Sequence, residues 1–344
     1  MHLNPDQPLE LTPTGKPSTI FFGPYGLRAG WGLLIAIALI FALFFVFNSA
    51  LRASHLIPPH GMMSSPGPLA VLLTELVGLI AVAATTWIMA KIEKRPVGIY
   101  GMDGVRKLPH FLSGIIAGLA AISLLVFVLI KSGLLAIDQR LLFGTEAIRF
   151  AILWIPGFLA IGFFEEYLFR GYLQFTLSRG LAGLATYISP RLNPQAFGFW
   201  TAAVLVSFGF GAVHGSNPGE SPLGLACAGF ASLLFCFSLW RTGSLWWAIG
   251  MHAAWDYGQS FVFGVADSGT MMGHHLLASH PIGAPLMSGG ATGPEGSILC
   301  LPILLLLVAV VHFTQPAGPT SYAARMPRPL PPPALPDEDS AIAS

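Results

Sequence analysis

The 344 residues are 54% hydrophobic and only 10% charged, with a formal net charge of +1. Soluble domains carry roughly 25% charged residues, so this composition excludes an ordinary soluble globular chain. The near-neutral balance gives no electrostatic basis for binding nucleic acid. The fold class implied is an all-α polytopic membrane protein.

Residues 1–29 read as a polar tail punctuated by proline and glycine. The first apolar run begins only near Gly30 and is too long for a cleaved signal sequence. A bilayer span needs about 20 predominantly apolar residues, and by that measure eight helices are predicted. They lie at 30–51, 68–90, 111–130, 150–174, 199–215, 222–240, 243–263 and 297–313, within a transmembrane domain of 30–313. The fifth and sixth are short and are separated by the break Gly215-Ser-Asn-Pro-Gly219. The loop 264–296 is rich in Gly, Ser, Met and His and carries no lysine or arginine. The 316–344 stretch, with Pro331-Pro332-Pro333, reads as a disordered tail. Cys227, Cys236 and Cys300 all fall in apolar runs and read as buried hydrophobes rather than a disulfide framework.

Lysine and arginine set the expected orientation. With both termini cytoplasmic, the inner segments hold Lys16, Arg28, Lys91, Lys94, Arg95, Arg106, Lys107, Arg179, Arg191, Arg241, Arg325 and Arg328. The outer segments hold only Arg52, Lys131, Arg140 and Arg149. An integral, multi-pass protein of the plasma membrane follows, with the lipid bilayer as its surroundings.

An ionisable side chain within a span costs roughly 2.5–3.5 kcal/mol on insertion scales, so each one needs a reason. The predicted spans contain Glu75, Glu165, Glu166, Arg170, His214, His252, Asp256 and His312. Glu166 and Arg170 are four residues apart with the acid first, the favourable order for a helical ion pair. Glu165 is rotated about 100° from Glu166, so it faces elsewhere and is available for proton transfer. On the seventh helix His252 and Asp256 share a face, and the carboxylate can orient the imidazole or share a polar group with it. The fifth helix ends in Phe210-Gly-Ala-Val-His214, an aromatic ring one turn before a histidine. Three helices thus each carry a polar patch that a bundle core would bring together.

Structural readings compete with each of these. A Glu–Arg pair serves as helix glue about as often as chemistry, and a single span histidine is more often an interhelical hydrogen bonder than a catalyst. His312 stands at a helix end. Glu75 is isolated and reads as a packing or proton-coupling residue. His274, His275 and His280 read as solvated loop residues. No His-Glu-x-x-His occurs, so the zincin pattern is absent. Tyr167, Phe210 and Trp255 either line a cavity or pack between helices.

The ordered set Glu165-Glu166…Arg170, Phe210…His214 and His252…Asp256 resembles the CPBP intramembrane proteases, the CAAX prenyl protease, bacteriocin-processing or Abi family. The likeness covers about residues 150–263. It implies an endopeptidase acting in the membrane on a membrane-tethered protein or peptide. Carried over, Glu165 and His214 activate water, while His252, held by Asp256, stabilises the oxyanion. The family's third motif often ends in asparagine; an ionised Asp256 cannot donate to an oxyanion, which favours the holding role. The family is described both as metalloproteases and as metal-free glutamate proteases. Zinc on Glu165, His214 and His252 and a metal-free mechanism are therefore both implied.

Two other classes stay open at this point: a non-catalytic scaffold or immunity protein of the same fold, and a proton-coupled transporter with Glu75, Glu165, Glu166 and His252 as relay. The span limits also raise a difficulty of depth. They put His214 near the outer end of its helix and Glu165 nearer the middle of its own, so either the fifth helix is displaced or a boundary is misplaced.

Overall fold

A computed structural model describes residues 20–23, 26–56, 65–189, 191–315 and 321. The expected 1–29 tail is described only in part, and the proline-rich 316–344 tail, apart from Ser321, lies outside the described residues, as do Lys16, Arg325 and Arg328.

A two-residue hairpin, β1 (Phe22–Gly23) and β2 (Gly26–Leu27), leads into α1 (Ala29–Ala53) and α2 (Pro68–Glu93). A 3-10 turn at Val97–Ile99 precedes α3 (Lys107–Lys131), β3 (Leu135–Arg140) and α4 (Gly144–Glu166). A π-helical turn, Tyr167–Leu173, joins α4 to α5 (Gln174–Ile188), which is followed by α6 (Pro194–His214) and α7 (Pro222–Thr242). Then come α8 (Trp246–Asp256), a second π turn (Tyr257–Val262), β4 (Leu277–Pro281), the single turn α9 (Pro285–Ser288) and α10 (Cys300–Thr314).

All eight expected apolar segments are helical, and six helices among the described residues are long and apolar enough to cross a membrane. The seventh and eighth, α8 with its π turn and α10, are shorter. For α8 the reason is its position. Trp247–Met251 and Ala253–Asp256 are buried, so this helix packs against protein nearly all round and need not match the thickness of the hydrocarbon.

Helix starts follow local chemistry. Asn193 Oδ1 accepts the Ala196 N–H at 3.0 Å ahead of Pro194, and Ser221 Oγ accepts the Gly224 N–H at 3.1 Å ahead of Pro222. These caps frame α6 between the loop before it and the Gly215–Gly219 break after it.

The expected fourth span, 150–174, is part of a longer helical run, Gly144–Ala185, of 42 residues. Straight, it would extend about 63 Å at 1.5 Å per residue, twice the hydrocarbon core. The chain bends instead within the π turn, at Gly171 (φ −76, ψ −108). A Cβ on Gly171 would stand 2.8 Å from the Tyr167 ring and 3.3 Å from the Tyr100 carbonyl, so glycine admits the close approach at the bend.

The bend settles the difficulty of depth. The Phe210 ring, one turn before His214, packs on Phe169 at 5.1 Å, and the Arg170 guanidinium lies 4.3 Å from its centre. The last turn of α6 therefore runs beside the π turn, and its end comes to the level of Glu165. The boundaries also differ from those expected: α4 ends at Glu166, so Glu165 stands in its last turn, as His214 does in α6.

The α3–α8 contact builds the wall behind the site. Gly114 and Gly118 take the backbone of Trp247 and Met251 directly against α3, where any Cβ would collide with those carbonyls. Overpacking costs typically about 1–3 kcal/mol, and backbone cannot yield as a side chain can. Gly118→Val is expected to lower the melting temperature of the detergent-solubilised protein and to loosen α8. An unchanged melting curve would show that this contact is not tight.

The 264–296 loop is folded. β4 pairs antiparallel with β3, from Leu135↔Pro281 to Arg140↔Leu277, with a register shift at Ile137/Gln139. A tight turn at Asp267–Thr270 is tied to the rest by Asn217 Nδ2 donating to the Ser268 carbonyl at 2.8 Å and by Gly269 N–H donating to the Thr292 carbonyl at 3.0 Å. This stitching lays the loop against the linker that follows His214.

Candidate active site

Glu166 and Arg170 form the expected ion pair, with Arg170 Nη1 3.1 Å from Glu166 Oε1 and both side chains fully buried. The guanidinium lies between the rings of Phe210, at 4.3 Å, and Phe235, at 5.3 Å. The pair is not isolated. The same Oε1 accepts a hydrogen bond from His252 Nδ1 at 2.9 Å, and the His252 ring stacks on Phe235 at 5.3 Å. Glu166 therefore bridges a cation on its own helical run to an imidazole on α8.

This changes the reading of the third motif. Asp256 was expected to hold His252, but its Oδ2 lies 3.6 Å from Nε2, on the far side of the ring from the tight Glu166 contact. The i,i+4 spacing brings the two side chains near each other, but the tertiary fold supplies a closer partner for Nδ1. His252 Nε2 also faces Glu165 Oε2 at 3.7 Å. As its rotation from Glu166 predicts, Glu165 faces elsewhere. It opens on a cavity of about 830 Å³.

His214 lines the same cavity. Its Nδ1 lies 2.7 Å from the Phe210 carbonyl. A carbonyl only accepts, so Nδ1 carries the proton and, in the neutral ring, Nε2 is an acceptor. Glu165, His214, His252 and Asp256 all line this space, whereas Glu166 and Arg170 stand behind it. Phe210 and Trp255 line it too, while Tyr167 packs with Tyr100 and Tyr172 in a different apolar core.

Glu75, isolated in the sequence, is in the cavity wall. His312 is not; its carbonyl accepts from Arg241 Nη2 at 2.7 Å. His274 stacks on Phe150 at 4.3 Å, His275 Nδ1 lies 2.6 Å from the Leu277 carbonyl, and His280 pairs with Asp138 at 2.8 Å. His274 and His280 are exposed, as the solvated reading expects, and His275 is half-buried.

Asp267 and Glu295 also line the cavity, and the sequence reading missed both. A signal was present: they are the only carboxylates in a loop without lysine or arginine. Asp267 accepts the Ser260 hydroxyl at 3.0 Å, and Glu295 accepts the Ser268 N–H. Burial pushes the Asp267 carboxyl up to about 6, and Glu165 adds to that, while the Ser260 hydroxyl, His252 and His214 pull it down. Burial, then Asp267, hold Glu295 well above the usual carboxylate range.

The folded protein thus holds the Asp267 proton more tightly than the unfolded chain, where aspartate titrates at about 3.9. Its stabilising contribution is complete below about pH 4 and is lost as pH rises through about 6. Asp267→Asn is expected to remove this loss, worth at most about 3 kcal/mol. Melting temperatures of variant and wild type should diverge between pH 4 and 6, the variant being the more stable at pH 7. Parallel profiles would contradict this.

Zinc on Glu165, His214 and His252 would need three donors converging on one point. Among the described residues no three His, Cys, Asp or Glu side chains converge in that way. Nδ1 of His214 faces the Phe210 carbonyl and Nδ1 of His252 faces Glu166, so Nε2 is the only ring nitrogen that either histidine could offer to a metal. As arranged, the set does not fit a metal ion.

Fold and site together define a polytopic helical membrane protein with a cavity in its bundle lined by ionisable side chains. Residues 147–258 match the family model described as Type II CAAX prenyl endopeptidase Rce1-like. This match is consistent with the CPBP intramembrane proteases, and the matched span contains Glu165, Glu166, Arg170, His214, His252 and Asp256. Glu75, Asp267 and Glu295 lie outside the match. No curated protein and no solved structure matches the chain significantly.

Proposed function

We propose that the protein is an intramembrane endopeptidase that hydrolyses a peptide bond of a membrane-tethered protein or peptide. The observation that carries this reading is the convergence of Glu165, His214 and His252, from α4, α6 and α8, on one cavity inside the bundle.

The chemistry follows from the atoms available. A water between Glu165 and His214 donates one hydrogen bond to the carboxylate and one to His214 Nε2, which turns a lone pair toward the scissile carbonyl. Attack passes a proton to Glu165 and forms a tetrahedral oxyanion. His252, protonated on both nitrogens for this step, donates from Nε2 to the oxyanion, a contribution worth roughly 2.7–4 kcal/mol for a preorganised donor. Collapse breaks the C–N bond, and Glu165 returns the proton to the leaving nitrogen. Glu166 holds the imidazole through Nδ1 and Arg170 balances the Glu166 charge, so these two act through His252. Asp256, beside Nε2, positions the ring from its other edge. No step passes through a metal.

The reading includes both termini on the cytoplasmic side of the plasma membrane, supported by twelve inner lysines and arginines against four outer ones. The test is purified protein in vesicles with a membrane-tethered reporter in H2(18)O. Cleavage within the tethered segment is expected, with (18)O in the new carboxyl terminus, and loss of both with His252→Ala. Activity should persist through chelation that brings metal content to background. An uncut reporter would sink the protease reading, and activity restored only by added zinc would sink the metal-free version.

A further inference from the structure

The cavity holds carboxyls with different engagements. Glu165 faces His252, Asp256 stands beside the same ring, Asp267 receives the Ser260 hydroxyl and Glu295 receives the Ser268 N–H. Glu75, on α2, makes no hydrogen bond among the described residues and opens on the cavity. It stands within electrostatic reach of Glu165 and His252. Its neighbour Thr74 is occupied, donating to the Ala70 carbonyl at 2.9 Å.

Packing explains how an α2 residue comes to face the catalytic wall. Gly78, three residues on and so on the same helical face, admits the ring of Phe164; a Cβ there would stand 2.8 Å from it. The missing side chain lets α2 close on α4 one residue before Glu165. Glu75, one turn along, is thereby directed across the cavity.

A carboxyl in a span is costly to insert, and among the described residues this one has no hydrogen-bonding partner to offset the cost. A substrate chain unwound for cleavage brings the complementary deficit. Its backbone N–H groups leave helical pairing in a place with little water, where each unpaired donor is penalised. We propose that Glu75 is a substrate-positioning residue whose side-chain oxygen accepts a backbone N–H of the unwound peptide beside the scissile bond. This rests on the protease reading for its reaction, though not for its binding contact. The role needs an acceptor oxygen and no charge, so glutamine can fill it and an apolar residue cannot.

Two measurements test it. In reporter kinetics, Glu75→Leu is expected to raise KM by about tenfold to a hundredfold, the scale of one lost hydrogen bond in a dry site. Glu75→Gln should stay within about threefold of wild type, and kcat should change little in either. The second measurement is independent of turnover. With Glu165→Gln as background and a diazirine side chain at Ala70, which also lines the cavity, light should capture the reporter. Capture should survive Glu75→Gln and fall with Glu75→Leu, at unchanged melting temperature. An unchanged KM in Glu75→Leu, equal losses in Gln and Leu, or capture indifferent to both would overturn the proposal. If the wild type cuts nothing yet capture depends on Glu75, the protease reading fails and the binding contact stands.

Discussion

Replacing Glu165 by glutamine is expected to reduce hydrolysis of a membrane-tethered reporter by about 10²–10⁴-fold, the usual range for losing a general base. Glutamine keeps the shape and the hydrogen-bonding reach of the side chain but cannot take the water's proton. Among the described residues Glu165 makes no hydrogen bond shorter than its 3.7 Å approach to His252 Nε2. Membrane insertion and melting temperature should therefore match wild type, which separates a chemical loss from a folding one. Photocapture from Ala70 should also persist. A glutamine variant retaining more than a tenth of wild-type turnover would remove Glu165 from the mechanism and leave the cavity without its base.

Arg170→Met is expected to destabilise the protein by roughly 3–5 kcal/mol, the cost of breaking a buried ion pair from one side. Neither Glu166 nor Arg170 is exposed to solvent. Losing the cation strands a carboxylate whose remaining strong partner is the His252 ring, and it also removes the contacts to Phe210 and Phe235. Activity should fall along with stability, because Glu166 would no longer hold the imidazole in place. The companion variant Glu166→Gln/Arg170→Met removes both charges and should recover much of the stability without recovering turnover. Thermal melting in detergent and reporter cleavage, measured on the same preparations, check both halves. Equal stability of the single and double variants would show that the pair is not electrostatically coupled.

The bundle and much of its site were legible because the bilayer imposes simple rules. Apolar runs of span length can only be helices, and all eight anticipated segments are helical. Within them an ionisable side chain is conspicuous by its cost, which is how Glu165, His214 and His252 stood out before any geometry was known. The i,i+4 relation of Glu166 and Arg170 is a property of any α-helix, and it holds at 3.1 Å.

Other features depend on residues distant in the chain, and local pattern does not encode them. The bend at 167–173 sits where Tyr167 and the Tyr100 carbonyl crowd Gly171, and the Phe169–Phe210 contact beside it sets the end of α6 next to the end of α4. The partner of His252 Nδ1 is 86 residues away, on another helix, whereas helical spacing indicates only Asp256, 3.6 Å from Nε2. Asp267 and Glu295 looked like loop residues until the stitching to Asn217 and Thr292 carried them into the cavity wall. Hydropathy and helical periodicity are short-range signals, sufficient for which segments are helical and which residues cannot be there for packing alone. Which carboxylate meets which imidazole was decided by the bend in one helix and the glycine contacts between others, because those set distances that no single segment controls.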